Sequence, residues 1–390
     1  MMKILNVVAS MDPSQGGVCQ GVKNNIAAMQ QLGISNEVVS FDESSAAFLK
    51  EESYIIHALG PARGPYSYCV SLQSWLLENF QRFDTVIIHG LWLYNSFGSY
   101  LAWKKFKKKN KKIPRIFVMA HGMLDPYFQK SKDRRLKAIR NWFFWNLVEE
   151  KVVNGVDGIL FTCEEELLLA RKTFKIYQPK SELNVGYGIQ SPPANRSEFS
   201  EAFFQRCPQV KGRPFLLFLS RIHVKKGVDL LIKAYNHLNK QHDLPDLVIA
   251  GPGLETEYGK RVRKMASTSP IHFPDMLQGD AKWGAFYNCE AFVLPSHQEN
   301  FGIAVVEALA CKKPVLITHQ VNIWREIEKA NAGIIVPDTE EGISKMLYQW
   351  VSTASEKKNL LNQNAFQAFS ANFLIETSVK RMVASLVASA

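Results

Sequence analysis

The chain lacks most of the signatures that would place it quickly. It has no Asp-x-Asp motif to hold a divalent cation against a diphosphate, no P-loop, no His-Glu-x-x-His pair and no complete Gly-x-Gly-x-x-Gly fingerprint. These absences argue against a metal site, a nucleoside-triphosphate loop and a nicotinamide or flavin cofactor. Six cysteines, Cys19, Cys69, Cys163, Cys207, Cys289 and Cys311, fall singly with no zinc spacing, so reduced structural thiols are expected. No apolar run reaches the roughly eighteen residues of a membrane-spanning helix, and no short repeat or low-complexity tail occurs. The apolar stretch near Met1–Ala9 runs into a loop-and-helix pattern, so it is expected to be a buried strand rather than a signal peptide, and the chain is expected to be cytoplasmic.

What is present is a globular composition, 46% hydrophobic and 21% charged, over 390 residues, a length that points to two domains. The net charge of +11 calls for an anionic partner. No nucleic-acid-binding module accompanies it, so nucleic acid is set aside and three readings stay open: a solvated basic face, anionic lipid, or a charged substrate. Much of the charge is local, since seven of the nine residues from Lys104 to Lys112 are lysine. Trp92, Tyr94, Phe97, Tyr100, Trp103 and Phe106 precede or interleave with them, which fits either a lipid interface or core packing. A second basic and aromatic stretch runs from Arg134, Arg135, Lys137 and Arg140 into Trp142, Phe143, Phe144 and Trp145.

Short β-rich runs alternate with helical patterns: residues 4–9, 37–41, 85–89, 116–120 and 158–162, then 215–220, 246–250, 291–295 and 314–318. Near-continuous apolar strands in a βαβα rhythm predict parallel sheets covered by helices. The polar, proline-bearing segment Gln190–Ser197 reads as a linker between two such series, and the chain reads as wholly helical beyond Ile343.

The strongest chemical signal is Glu299-Asn-Phe-Gly-Ile-Ala-Val-Val-Glu307, directly after an apolar strand. The spacing predicts Glu299 on a strand-to-helix loop and Glu307 about two turns into the helix, with the backbone of Asn300, Phe301, Gly302 and Ile303 forming a helix start suited to an anion. Two solvated glutamates would give the same spacing. Arg221 and Lys226 share the loop after another strand, where they either meet a diphosphate or face water; Lys226 is preferred to Lys225 because Gly227 permits a close approach. Gly251-Pro-Gly253 and Gly16-Gly17 are strand-to-helix turns able to approach a phosphate or sugar. His121 and His89 each end a strand and precede a glycine, placing them either in a ligand crevice or in an internal hydrogen bond. Asp125 is an acceptor-side carboxylate or, more commonly for such a residue, a helix cap.

Taken together and in this order, Gly16-Gly17, His89-Gly-Leu-Trp92, His121-Gly-Met-Leu-Asp-Pro126, Arg221 with Lys226, Gly251-Pro-Gly253 and Glu299 to Glu307 resemble the retaining glycosyltransferases of family 4, or group 1, in the branch that builds exopolysaccharides and related surface glycans. The resemblance implies an α/β fold of two Rossmann-like domains facing across a cleft, the GT-B type. Residues 1–190 would bind the acceptor, residues 191–370 would carry the linker and the donor domain, and the final helix, near 371–390, would return to the N-terminal domain. It also implies a nucleoside-diphosphate sugar as donor, most often a UDP-sugar, with no cofactor required and glucose as the leading guess for the hexosyl unit. Glu307 would hold the ribose, Glu299 with the Phe301 and Gly302 backbone the sugar hydroxyls, and Arg221 and Lys226 the departing diphosphate. His121 would contact the sugar near its 6-hydroxyl and Gly17 would permit approach to the phosphates.

The loop around Met276 and Leu277 would meet the base, although its glycine falls later than in the family pattern. His89, Trp92 and Asp125 would lie toward a glycan or lipid-linked sugar acceptor, with peripheral contact to anionic membrane. The implied chemistry is retaining, front-side and metal-independent. Competing expectations are a nucleotide-sugar epimerase of related fold and a non-catalytic, membrane-associated nucleotide-sugar-binding scaffold.

Overall fold

A computed structural model describes residues 2–15, 17–50, 53–130, 135–267 and 269–388. Its contacts divide the chain into two units, Met1–Gly188 with Ser378–Ala390, and Ile189–Thr377. Each is built on one parallel sheet, as the apolar strand runs predict.

The first unit contains β1 (Lys3–Val7), β2 (Ser35–Ser40), β3 (Ile55–Ala58), β4 (Thr85–His89), β5 (Arg115–Met119), β6 (Gly158–Phe161) and β7 (Glu182–Asn184). Their order across the sheet is β3-β2-β1-β4-β5-β6-β7. β1 pairs with both β2 and β4, with Val7 opposite Val39 and Ile88, so the chain reverses its direction of winding between β1 and β4. Such a switch point opens a crevice at the carboxyl ends of the strands. β4 is buried along its whole length, and apolar clusters cover both faces of the sheet.

The second unit contains β8 (Phe215–Leu219), β9 (Asp246–Ala250), β10 (Ile271–His272), β11 (Ala291–Leu294), β12 (Val315–Thr318) and β13 (Gly333–Val336). They lie in the order β10-β9-β8-β11-β12-β13, so the switch point falls between β8 and β11. The loops that leave those two strands carry Lys226 and Glu299. Topology alone therefore brings these residues to one crevice. Four strands were not apparent in the sequence, namely β3, β7, β10 and β13, and each lies at a sheet edge.

The lipid-interface reading of the lysine run is corrected. Tyr94, Tyr100, Trp103 and Phe106 lie on the helix Tyr94–Lys107 and are buried in the core of the first unit, with Trp92 and Phe97 packed against it. Their near-threefold spacing is the inward stripe of an amphipathic helix. The lysines take the outer face, and Lys107 Nζ lies 4.8 Å from the centre of the Trp103 ring.

Candidate active site

In the second unit the chain leaves β8 through a single turn of 3₁₀ helix, Val224–Lys226, capped by His223, whose Nδ1 accepts from Lys225 N at 3.1 Å. Gly227 follows with φ 66°, and a Cβ there would stand 2.1 Å from the Pro295 carbonyl oxygen. Only glycine allows the Lys226 turn to lie this close to the end of β11. His297 N then donates to Lys225 O at 2.9 Å, joining the two loops. Lys226 is buried, and its ammonium pairs with the Glu299 carboxylate.

The Glu299 loop is held from its other side as well. Glu299 N donates to Gln320 O at 2.8 Å, and Asn322 N donates to Glu299 O at 2.9 Å, a parallel bridge to the loop after β12. Gly302, at φ 75°, caps the helix Ile303–Ala310, whose first amides lack intrahelical acceptors. Glu307 lies on that helix, about one turn from its start rather than the two that the spacing predicts, and receives Lys282 Nζ at 2.7 Å. Lys282 has no sequence motif around it and was not anticipated; it comes from the helix Gly279–Asn288. Each candidate glutamate thus has its own lysine.

Around this pair, Arg221 is exposed at the loop start, Phe301 is buried, and Asn300 Oδ1 accepts from Asn322 Nδ2 at 3.3 Å. Ile303 is partly exposed at the helix start. Gly251 and Gly253 have φ 144° and 114°, and a Cβ on either would strike a backbone oxygen, of Ser220 or Ile222 respectively. Their missing side chains let the loops after β8 and β9 pack together. Gly251 N also donates to Asp275 O at 3.0 Å, anchoring the segment in which Leu277 is buried and Met276 is exposed.

In the first unit, Gly17 opens the helix Gly17–Gln31 with nothing within 4 Å of the place a Cβ would occupy. Its neighbour Gly16 lies outside the described residues, as does Arg134. His89 ends β4 and His121 follows the end of the adjacent β5, and His89 Nδ1 lies 3.0 Å from His121 Nε2. On its other side, His89 Nε2 lies 3.0 Å from Asn6 Oδ1, Asn6 Nδ2 donates to Asn36 Oδ1 at 3.2 Å, and Asn36 Nδ2 donates to Ile34 O at 3.3 Å. A backbone carbonyl can only accept, so it sets the direction of the whole chain of bonds. His89 carries its proton on Nε2, His121 donates from Nε2, and His121 Nδ1 keeps an open lone pair. Burial pushes the His121 pKa down to about 4 and, with His121 nearby, holds His89 well below the usual histidine range. Both rings are neutral at neutral pH.

Two buried glutamates fix the loops that carry these histidines. Glu166 accepts from Gly122 N through one oxygen and from Thr162 N and Oγ1, at 2.7 and 2.6 Å, through the other. It thereby holds His121 in its left-handed conformation, φ 50°. Glu149 accepts from Trp92 N and Ser96 Oγ, both at 2.8 Å, and burial lifts its pKa to about 7. Asp125 takes the capping role, with Oδ1 accepting from Tyr127 N at 2.8 Å. Among the described residues no group of three or more His, Cys, Asp or Glu could hold a metal ion.

Two parallel Rossmann-like sheets are the architecture of the GT-B class of glycosyltransferase folds. Residues 199–368 match the family model described as glycosyl transferases group 1. O-antigen chain mannosyltransferase C of Escherichia coli is 22% identical over 241 residues, 60% of this chain and 62% of the relative. Alpha-D-kanosaminyltransferase of Streptomyces kanamyceticus is 30% identical over 151 residues, covering 37% and 36% of the two chains. The chain thus spans less than two thirds of either relative. Among solved structures, Anabaena Alr3699/HepE in complex with UDP and glucose superposes with a TM-score of 0.72 over 100% of both chains at 16% identity, a likeness of fold.

Proposed function

We propose that this protein is a retaining glycosyltransferase that moves a hexosyl unit, glucose first among candidates, from a UDP-sugar to a glycan or lipid-linked sugar acceptor in surface-polysaccharide synthesis. The observation that carries the reading is the Lys226–Glu299 pair, held between two mutually bonded loops beside the N-terminus of the helix Ile303–Ala310, inside the stretch that matches the group 1 model. The complex of Anabaena Alr3699/HepE with UDP and glucose, on the same fold, supports the choice of donor.

In this reading Glu307 accepts from the ribose hydroxyls and Glu299 from the sugar hydroxyls. As the bond from the anomeric carbon to the diphosphate oxygen breaks, negative charge grows on the leaving group, where Lys226, Arg221 and the helix N-terminus stabilise it without a metal ion. His121 accepts a hydrogen bond from a sugar hydroxyl through its open Nδ1. The acceptor hydroxyl attacks from the face the diphosphate leaves and gives its proton to that diphosphate, so the anomeric configuration is kept. The enzyme works in the cytoplasm, in contact with an anionic membrane face.

The test is donor hydrolysis with UDP-, GDP- and ADP-sugars in EDTA. One nucleoside diphosphate should be released slowly, and release should fall by about 10² to 10³ in Lys226→Ala. A β-linked product from an α-linked donor, or activity abolished by EDTA, overturns the mechanism. Binding of a UDP-sugar without turnover, with or without acceptors, would favour a binding protein instead.

A further inference from the structure

The helix that starts at Arg135 is buried along one face and apolar on the opposite, outer one. Its inner side is buried through Asn141, Trp145, Glu149 and Val152. Its outer side carries Leu136, Ile139, Phe143 and Leu147, spaced three, four and four residues apart and exposed at 84, 56, 56 and 65%. Trp142 extends the stripe, its ring packed edge-on against Phe143 at 4.9 Å. A monomer rarely keeps so continuous a row of large apolar side chains in water unless the row is used. Exposed Arg135, Lys137, Arg140 and Lys151 flank it, and within residues 135–155 the acids are Glu149, which is buried, and Glu150. Arg140 also walls a cavity of about 260 Å³, together with Tyr66, Trp92 and Phe144, so a cation and aromatic rings stand beside the stripe.

We propose that this outer face docks on an anionic lipid bilayer, with Leu136, Ile139, Phe143 and Leu147 entering the headgroup boundary, Trp142 at the interface and the basic flank on the lipid phosphates. A helix lying in a membrane plane combines these features: an apolar stripe with an aromatic anchor and basic residues along its edge. The charge is what selects lipid over a second copy of this chain, because two basic faces repel. The lysine run of Lys104–Lys112 has no such stripe, since its aromatic residues face the core. The proposal deepens the acceptor reading above, a lipid-linked sugar at a membrane face, and can fail without it.

The experiment is flotation of the full chain with phosphatidylcholine vesicles, with and without phosphatidylglycerol. Binding is expected only with the anionic lipid, weaker by about tenfold or more in Leu136→Ser/Phe143→Ser and by about fivefold in Lys137→Glu. Lys105→Glu/Lys108→Glu should lose less than Leu136→Ser/Phe143→Ser. Brominated lipid should quench wild-type fluorescence, and Trp142→Phe should remove that quenching although seven of the eight tryptophans remain. Unchanged melting temperature and donor hydrolysis in these variants would separate docking from folding and from chemistry. No flotation, flotation that only the lysine-run variant abolishes, or a lipid-free dimer that the serine variants dissociate overturns the proposal.

Discussion

His121 Nε2 donates to His89 Nδ1 at 3.0 Å, because the chain of bonds behind it ends on the carbonyl of Ile34, which can only accept. The ring that would meet a sugar is therefore fixed in tautomer as well as in place. Nitrogen-15 spectra should show His121 protonated at Nε2, bare at Nδ1, and still neutral when the pH falls to 5. A His121 signal that titrates near 6.5 would contradict the buried, neutral pair.

Substituting Asn6→Leu removes the acceptor for His89 and leaves Asn36 Oδ1 without its donor. The loss of buried hydrogen bonds should cost about 1–3 kcal/mol in urea unfolding. The His121 tautomers should also become mixed and donor turnover should fall, while UDP affinity, measured by calorimetry, stays near wild type. Equal losses of turnover and UDP affinity would instead indicate general damage.

The buried Glu149 predicts a pH dependence of stability. Its folded pKa, about 7, stands above the ordinary 4.5, so the folded state binds the proton more tightly. Its contribution is then full below about 4.5 and is lost as the pH rises through 7, a change of about 3 kcal/mol. The depressed histidines act in the opposite sense, losing stability as the pH falls from 6.5 toward 4. Comparing Glu149→Gln with wild type at pH 5 and pH 8 isolates the glutamate: the variant should gain relative to wild type at the higher pH.

Gly227→Ala should be costly. The left-handed φ of 66° and the Pro295 carbonyl 2.1 Å from the new Cβ both oppose it, and more than about 2 kcal/mol should be lost. Gly17→Ala meets nothing within 4 Å, and thermal melts should separate the two.

Lys282→Ala leaves Glu307 without its ion pair. If Glu307 holds the ribose, KM for the donor should rise about tenfold with kcat within about twofold. An equal drop in kcat would place Lys282 among the groups that act on the diphosphate.

The parallel sheets were legible because their inner strands, such as residues 85–89 and 246–250, carry a run of three or more apolar residues and are buried along their length. The edge strands were not: β10 has two residues and β7, Glu182–Asn184, has only one apolar residue. Glu299, Lys226 and Gly227 were visible because one short loop holds each group and spacing conveys the geometry. Asn6, Asn36, Glu149, Glu166 and Lys282 act through partners 25 to 83 positions away, except where Glu166 also reaches back to Thr162 and Asn36 to Ile34, and no local pattern encodes such a meeting. The aromatic residues from Tyr94 to Phe106 left two readings open for the converse reason, since a stripe for the core and a stripe for lipid have the same period.

Glu299 is bonded through both its amide and its carbonyl to the loop after β12, which makes this stretch of loop behave as a short rung of sheet. Its amide should exchange with deuterium on the timescale of the strands beside it. If Glu299 holds the donor sugar as proposed, a glutamate so mounted cannot follow a sugar whose hydroxyls point elsewhere. Selectivity among hexoses at this position would then come from rejection by a rigid template, and broadening it would require loosening Gln320 to Asn322 rather than altering Glu299 itself.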